Sequence, residues 1–496
     1  MRRNLAAFTL GSLLALGPLG TGCGEGASPD GPARIGATGS ATKPGSTGSP
    51  QPGTSGSGVV PGGSAQPTPS GTPKTADEAS KKHNVILITL DAVRADMPWQ
   101  GYKREIAPNL TKLAKTATVY RHAYAVSSYT AKSMGALFSG KYPSTLYRDG
   151  AFFTHYSKAN VWFTEVLRGA GVHTLGVTAH KYFDQGHNIG QGFEVWRLPE
   201  DLKFDPETDQ NITSPDMTKI GTEILGDPKN TDGHFFAWLH YGDPHDKYKL
   251  HPEAPKYGST GRDLYDNEIY FTDMWIQKLL DFCQTQPWWK DTVVIVSADH
   301  GEAFGEHKQY FHAFALWEHL VRVPLLVAGP GIDAREVDLR RSHIDLAPTI
   351  LELLGVPVPS EMDGKSLVPE LFGKEAPANR EPILCDLPAD KYNPATRVIE
   401  IGDYKLIEDP GPKYHLYNVT DDPGELKDLA EDPKSKQKFD EMKTAFDAAW
   451  SKHPLVTPFG GQKLIGGGKA DGPKGPAGWG DNPDADGPGK PGKPEP

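Results

Sequence analysis

Five runs in the sequence are apolar almost without interruption: NVILITL (84–90), HTLGV (173–177), HFFAWLHY (234–241), TVVIVSA (292–298) and VPLLVAG (323–329). A strand with one wet face alternates polar and apolar residues, whereas a run apolar at nearly every position is buried on both faces. Helical patterns lie between the runs, at 108–116, at 159–168 closed by Gly169, at 262–285, and at 345–354 closed by Gly355. This alternation predicts an α/β fold with a mostly parallel central sheet flanked by helices. In such sheets ligands gather beyond the carboxyl ends of the strands, so the polar residues that terminate the runs carry the functional information.

Three runs end in carboxylates. NVILITL leads into Asp91, HFFAWLHY into Gly242-Asp243-Pro244-His245, and TVVIVSA into Asp299-His300-Gly301-Glu302. An aspartate after a strand is often only a helix cap or a turn residue. Three together, two of them with histidine, instead describe a rim of oxygen and imidazole donors suited to a divalent cation.

Composition bounds the rest. With 496 residues, 37% hydrophobic content, 55 glycines and 44 prolines, an ordinary core is diluted by long segments that cannot fold. Residues 24–82 and 455–496 have that character, being built mainly of small residues, proline and, in the second segment, lysine and aspartate. They read as a disordered linker and a disordered tail, with Phe459 and Leu464 able to pack locally. The ordered body is therefore expected at 83–454, divided into 83–375 and a C-terminal subdomain at 376–454. A net charge of −11 argues against nucleic acid as a partner. Arg2 and Arg3 precede an apolar stretch at 5–17, too short to span a bilayer and suited to an export signal. The stretch ends at LGTGC (19–23), which resembles a bacterial lipoprotein signal with Cys23 as the lipidated residue, although Gly20 stands where leucine is preferred. An export signal followed by a tether predicts a domain lipid-anchored to the bacterial envelope, in the periplasm or at the outer membrane or cell surface, and touching membrane only through that anchor. Cys283 and Cys385 allow at most one disulfide in the body.

Seven segments in chain order resemble the sulfatase family of the alkaline-phosphatase-like superfamily: NVILITLDAVRAD, TAKSMGALFSGKYPS, LHYGDPHDKY, YDNEIYFTDMWIQKLL, SADHGEAFGEH, VRVPLLVAGPG and DLAPTILELLG. DYKLIED (403–409) and LYNVTDDPGELKDLA (416–430) resemble the family's small C-terminal subdomain, an antiparallel sheet with a closing helix. The resemblance implies a metal-dependent ester hydrolase. It also places the nucleophile ten residues before Gly140, at Thr130, among the six serine and threonine hydroxyls of 127–144. Sulfatases proper carry Cys or Ser there, in a Cys-x-Pro-x-Arg pattern that is oxidised to formylglycine. This chain reads Thr130-Ala131-Lys132-Ser133-Met134. Threonine cannot yield the aldehyde, so no formylglycine is expected, and direct attack by a metal-bound hydroxyl remains, as in phosphoryl-transferring relatives.

The resemblance further implies one divalent ion (Ca, Mn or Zn) on Asp91, Thr130, Asp299 and His300. A second aspartate common in the family is replaced by Ala92. His245 and His312 hold positions for catalytic proton donors, and Lys132 offers a positive charge in place of the missing arginine. Arg94, His180 and Lys181 are candidates for binding the substrate anion. In a variant reading, Asp243, His245 and His312 bind a second cation. The expected substrate is a small-molecule, glycan or lipid ester, with phosphate preferred over sulfate because threonine replaces the aldehyde precursor. The competing readings are a sulfuric ester hydrolase and an inactive, lipid-tethered binding protein.

Overall fold

The computed structural model describes residues 81–459 and 464, without 185, 204–210, 374 and 412. The export signal, Cys23, nearly all of the linker and most of the tail lie outside the described residues. The strands in chain order are β1 (Asn84–Leu90), β2 (Thr118–Tyr124), β3 (His173–Thr178), β4 (Val195–Arg197), β5 (Phe235–Tyr241), β6 (Thr292–Ala298), β7 (Ala303–Phe304), β8 (Tyr310–Phe311), β9 (Arg322–Ala328), β10 (Arg335–Val337), β11 (Arg341–Ser342), β12 (Ile383–Leu387), β13 (Thr396–Ile401), β14 (Tyr404–Asp409) and β15 (Lys413–Asn418).

The main sheet runs β10-β2-β9-β6-β1-β5-β3-β4, with β11 also paired to β2. Every residue of β1, β5 and β6 is buried, as continuous apolar runs require. β1 lies between β5 and β6 and is parallel to both, with Leu90 in register with Tyr241 and with Ala298. That register brings the residues after the three strands to one edge. Asp91 N donates to Tyr241 O at 2.9 Å, and Asp299 N donates to Leu90 O at 3.2 Å.

Most pairings are parallel, but β9 runs antiparallel to β2 and β6. The cause is the connection: between β6 and β9 the chain makes only the β7–β8 pair and short helical turns, and without a full crossover helix it returns in the opposite direction. The helix expected from 159 begins at Phe163. Asn160 diverts the preceding residues into a turn, its Nδ2 donating to Tyr147 O at 2.8 Å and its Oδ1 accepting from Tyr147 N at 3.0 Å.

The second sheet is antiparallel, in the order β12-β13-β14-β15. The helix Lys436–Trp450 closes it, with Met442, Phe446 and Trp450 in one core with Leu384, Ile399, Leu406 and Leu416. Asp386 joins this sheet to the main body, its N donating to Val126 O at 2.7 Å and its Oδ2 accepting from Ser144 N at 2.7 Å. Packing continues past the expected end at 454, since Val456 N reaches Ser144 O and Phe459 N reaches Arg148 O, both at 2.9 Å. Cys283 and Cys385 are buried and unbonded. Among the described residues, no helix is long and apolar enough to cross a membrane.

Candidate active site

Asp91 and Asp299 leave the ends of β1 and β6 fully buried. Asp299 Oδ1 accepts from Ala92 N at 3.1 Å and from His300 N at 2.9 Å. Ala92, where the family's second aspartate is missing, adopts a left-handed φ of 57°. This conformation is unusual for alanine, and in it the backbone N–H ties one carboxylate to the other. Asp91 Oδ1 and Asp299 Oδ2 have no hydrogen-bond partner. His300 Nε2 stands 3.7 Å from the first and 3.3 Å from the second. His300 Nδ1 lies 2.9 Å from Gly301 O, a pure acceptor, so Nδ1 carries the proton and the Nε2 lone pair faces the carboxylates. Two buried carboxylate oxygens without a hydrogen-bond partner, close to one imidazole nitrogen, are costly to leave bare, and a divalent cation resolves that conflict. These donors fit one, and all lie within 4.8 Å of each other.

Thr130 opens the helix Thr130–Ser139, all of whose residues are buried. Tyr129 is still extended at φ −143°, and Gly140 ends the helix in the left-handed region at φ 65°. Thr130 Oγ1 lies 3.1 Å from His300 Nε2. Ser133 Oγ donates to Asp299 O at 2.6 Å and locks the helix against the end of β6. On the opposite face, Tyr156 OH donates to Ala131 O at 3.0 Å, and a Cβ on Gly135 would sit 2.4 Å from that hydroxyl. Glycine at 135 is therefore a packing requirement. The other hydroxyls of this stretch have structural partners where one is present: Ser139 Oγ donates to Gly135 O at 2.7 Å, and Ser144 Oγ accepts from Arg397 Nη2 at 3.0 Å.

Besides His300, four histidines surround this pair of carboxylates. His180 Nε2 bonds Asp91 Oδ2, and His240 Nε2 lies 3.5 Å from the same oxygen. His180, expected to bind the substrate anion, is thus held on a carboxylate. Burial raises the Asp91 pKa, but the charges of His180 and His245 and the hydrogen bond from His180 hold it well below the usual range. The His245 ring is 4.8 Å from that of His312, which is 4.3 Å from that of His300. His312 Nδ1 lies 3.2 Å from Glu302 Oε1. Burial first, then His300 and His245, push His312 well below its ordinary pKa. Burial pushes Glu302 up to about 7, against a hydrogen bond from Tyr248.

The expected cations are engaged elsewhere. Lys132, proposed as a charge for the anion, is fully buried and its ammonium bonds Asp390. Arg94 Nη1 donates to Glu306 Oε1 at 2.7 Å and to Glu302 O at 2.9 Å, while its Nε donates to Asp96 Oδ1 at 3.1 Å. Arg94 therefore secures the loop after His300. Lys181 begins the short helix Lys181–Asp184 directly after His180. Asp243 does not join a second cation group with His245 and His312: its Oδ1 accepts from Thr213 Oγ1 at 2.6 Å and its Oδ2 from Ser214 N at 2.8 Å, which caps the helix Ser214–Gly226. Sequence reasoning missed His240, and its only signal was an imidazole inside an otherwise apolar, fully buried strand. It also missed Tyr182, whose buried phenol lies beside Thr130. Burial first, then Tyr129, Asp91 and Asp299, raise that phenol's pKa.

A sheet that delivers acidic and imidazole donors to one edge, opposite a hydroxyl at a helix start, is the frame of a metal-assisted ester hydrolase. The sulfatase family profile matches residues 83–356, and a profile for the C-terminal part of N-sulphoglucosamine sulphohydrolase matches residues 305–452. The chain belongs to the sulfatase family. It is 23% identical to a sulfatase of Formosa agariphila, over 77% of this chain and 90% of that protein. It is 30% identical to a Delta 4,5-hexuronate-2-O-sulfatase of Bacteroides thetaiotaomicron, over 35% of this chain but only 37% of that protein. Among solved structures, the phosphonate monoester hydrolase of Agrobacterium radiobacter superposes with a TM-score of 0.62 at 16% identity, covering 75% of this chain and 96% of that one.

Proposed function

We propose that this protein hydrolyses phosphate esters, monoesters or diesters, through a covalent intermediate on Thr130. The observation that carries the reading is the Thr130 hydroxyl at a helix start, 3.1 Å from His300 Nε2 and beside buried carboxylates with unpartnered oxygens. Asp91, Asp299, His300 and Thr130 would hold one divalent ion. Such an ion lowers the pKa of a bound hydroxyl and neutralises charge on the non-bridging oxygens of the ester. The Thr130 oxygen, its proton given up to solvent, attacks phosphorus, the bond to the leaving oxygen breaks, and that oxygen takes a proton from His245. Water then attacks phosphorus, returns a proton to His245, and the bond from phosphorus to the Thr130 oxygen breaks. The free N–H groups at the start of the helix stabilise the developing negative charge.

Phosphate is preferred over sulfate because a sulfated formylglycine hydrate discharges sulfate by re-forming its carbonyl, a route closed to threonine. The test is turnover of p-nitrophenyl phosphate, bis-p-nitrophenyl phosphate and p-nitrophenyl sulfate by the full chain loaded with Zn²⁺, Mn²⁺ or Ca²⁺. Hydrolysis of sulfate alone would reverse the substrate preference, and inactivity on all three would favour the tethered binding protein. We also propose that Cys23 is lipidated, which fatty-acid labelling lost in Cys23→Ala would support and labelling retained would overturn.

A further inference from the structure

We propose that Asp91 bridges two cations, and that a second ion, of the zinc type, sits on Asp91 Oδ2, His180 Nε2 and His240 Nε2. The two carboxylate oxygens of Asp91 serve different neighbours. Oδ1 faces His300, whereas Oδ2 meets His180 and lies 3.5 Å from His240 Nε2. The three donor atoms lie within 4.8 Å of one another, and all three residues are buried.

His240 is the independent sign of a ligand. It is fully buried, and its Nε2 has no hydrogen-bond partner. Its Nδ1 lies 2.8 Å from Thr89 Oγ1, which also receives the indole N–H of Trp238 at 2.9 Å. An indole nitrogen only donates, so the Thr89 oxygen acts as an acceptor there, with a second lone pair for His240 Nδ1–H. In the tautomer with the proton on Nδ1, the Nε2 lone pair faces the carboxylate oxygen 3.5 Å away. The Trp238 ring, 5.4 Å away and inclined by 20°, stacks on the imidazole and fixes its plane. A ligating histidine whose second nitrogen is held by a neighbour is the usual support for a metal. Two imidazoles and one carboxylate oxygen, with a fourth position left open, suit a borderline ion such as Zn²⁺. The set around Asp299 and Thr130 is richer in oxygen and suits a harder ion.

The proposal shares only Asp91 with the ester-hydrolase reading, and it is tested without substrate. The full chain is stripped with chelator, titrated with Zn²⁺ and then with Co²⁺, and its metal content counted by mass spectrometry. The expected result is two equivalents in the wild type and one in His240→Gln and in His180→Asn, with loss of part of the visible Co²⁺ absorption in both. Circular dichroism reports folding, and should His240→Gln fail to fold, His180→Asn decides. Folded His240→Gln and His180→Asn that bind as many equivalents as the wild type would overturn the second site, whereas a wild type with one equivalent that both variants lose would instead remove the ion at Asp299 and His300.

Discussion

Thr130→Val and Thr130→Ser separate the chemistry of the hydroxyl from its packing. Thr130 is 1% exposed, so both of its γ-substituents are enclosed. Valine keeps the shape and exchanges the hydroxyl for a methyl, at the cost of one hydrogen bond to His300 and about 1 kcal/mol of stability. Serine keeps the oxygen and loses a buried methyl, again costing about 1 kcal/mol. Stability therefore barely distinguishes the two variants. Activity should distinguish them strongly, because removal of an attacking oxygen typically costs about 10³-fold or more. At 1.36 kcal/mol per factor of ten this is about 4 kcal/mol of barrier, well above either packing term. The expected outcome is that Thr130→Ser turns over p-nitrophenyl phosphate within about tenfold of wild type, while Thr130→Val is inactive with a similar thermal midpoint. Thr130→Val retaining roughly a tenth of wild-type turnover would refute direct attack by this residue.

Lys132→Met should destabilise the chain by about 3–5 kcal/mol in urea unfolding, because Asp390 is left buried without its ammonium; Lys132→Met with Asp390→Leu should recover part of the loss. If the single variant matches wild type, the pair is not structural. Asp273, which accepts from Asn109 N at 3.0 Å and Leu110 N at 2.8 Å, is raised by burial from 3.8 to about 6. The folded protein therefore holds the proton more tightly than the unfolded chain. This contribution is fully present below pH 4 and is lost as pH rises through about 6, up to about 3 kcal/mol. The difference in unfolding free energy between wild type and Asp273→Asn should slope across that window, and a flat difference would contradict the shift. Stripping with a chelator should abolish turnover and lower the thermal midpoint by several degrees, both restored by divalent metal. A midpoint that does not move would mean no ion is bound at the buried carboxylates.

The strands were legible because a strand covered on both faces leaves no room for polar residues. β2, TVYRHAY, escaped notice because Arg121 and His122 interrupt it, and both are only half-buried. The direction of β9 could not be read, since apolar content is the same for either orientation and the loop before it decides. At the site, Asp91, Asp299 and His300 stood out as terminators of buried strands. The postings of Lys132 and Arg94 did not, because Asp390, which meets Lys132, and Glu306, which meets Arg94 Nη1, lie 258 and 212 residues away in the chain. Proximity to a motif suggested that these cations face a ligand, but the desolvation cost of burying them demanded counter-ions that only the folded chain supplies. His240 illustrates the opposite error: a lone imidazole in a core strand usually has a neighbour for each nitrogen, and here only the register with β1 leaves one of them unanswered.

The bond between Lys132 and Asp390 makes the two sheets one inheritance. The helix that presents Thr130 has its counter-charge on the segment after β12, so a fragment ending before residue 383 would enclose an ammonium with nothing to answer it. Such a fragment would keep every donor around Asp91 and still leave the helix that starts at Thr130 without its anchor. Gene splitting or domain exchange at that junction should therefore yield active protein only when both halves travel together.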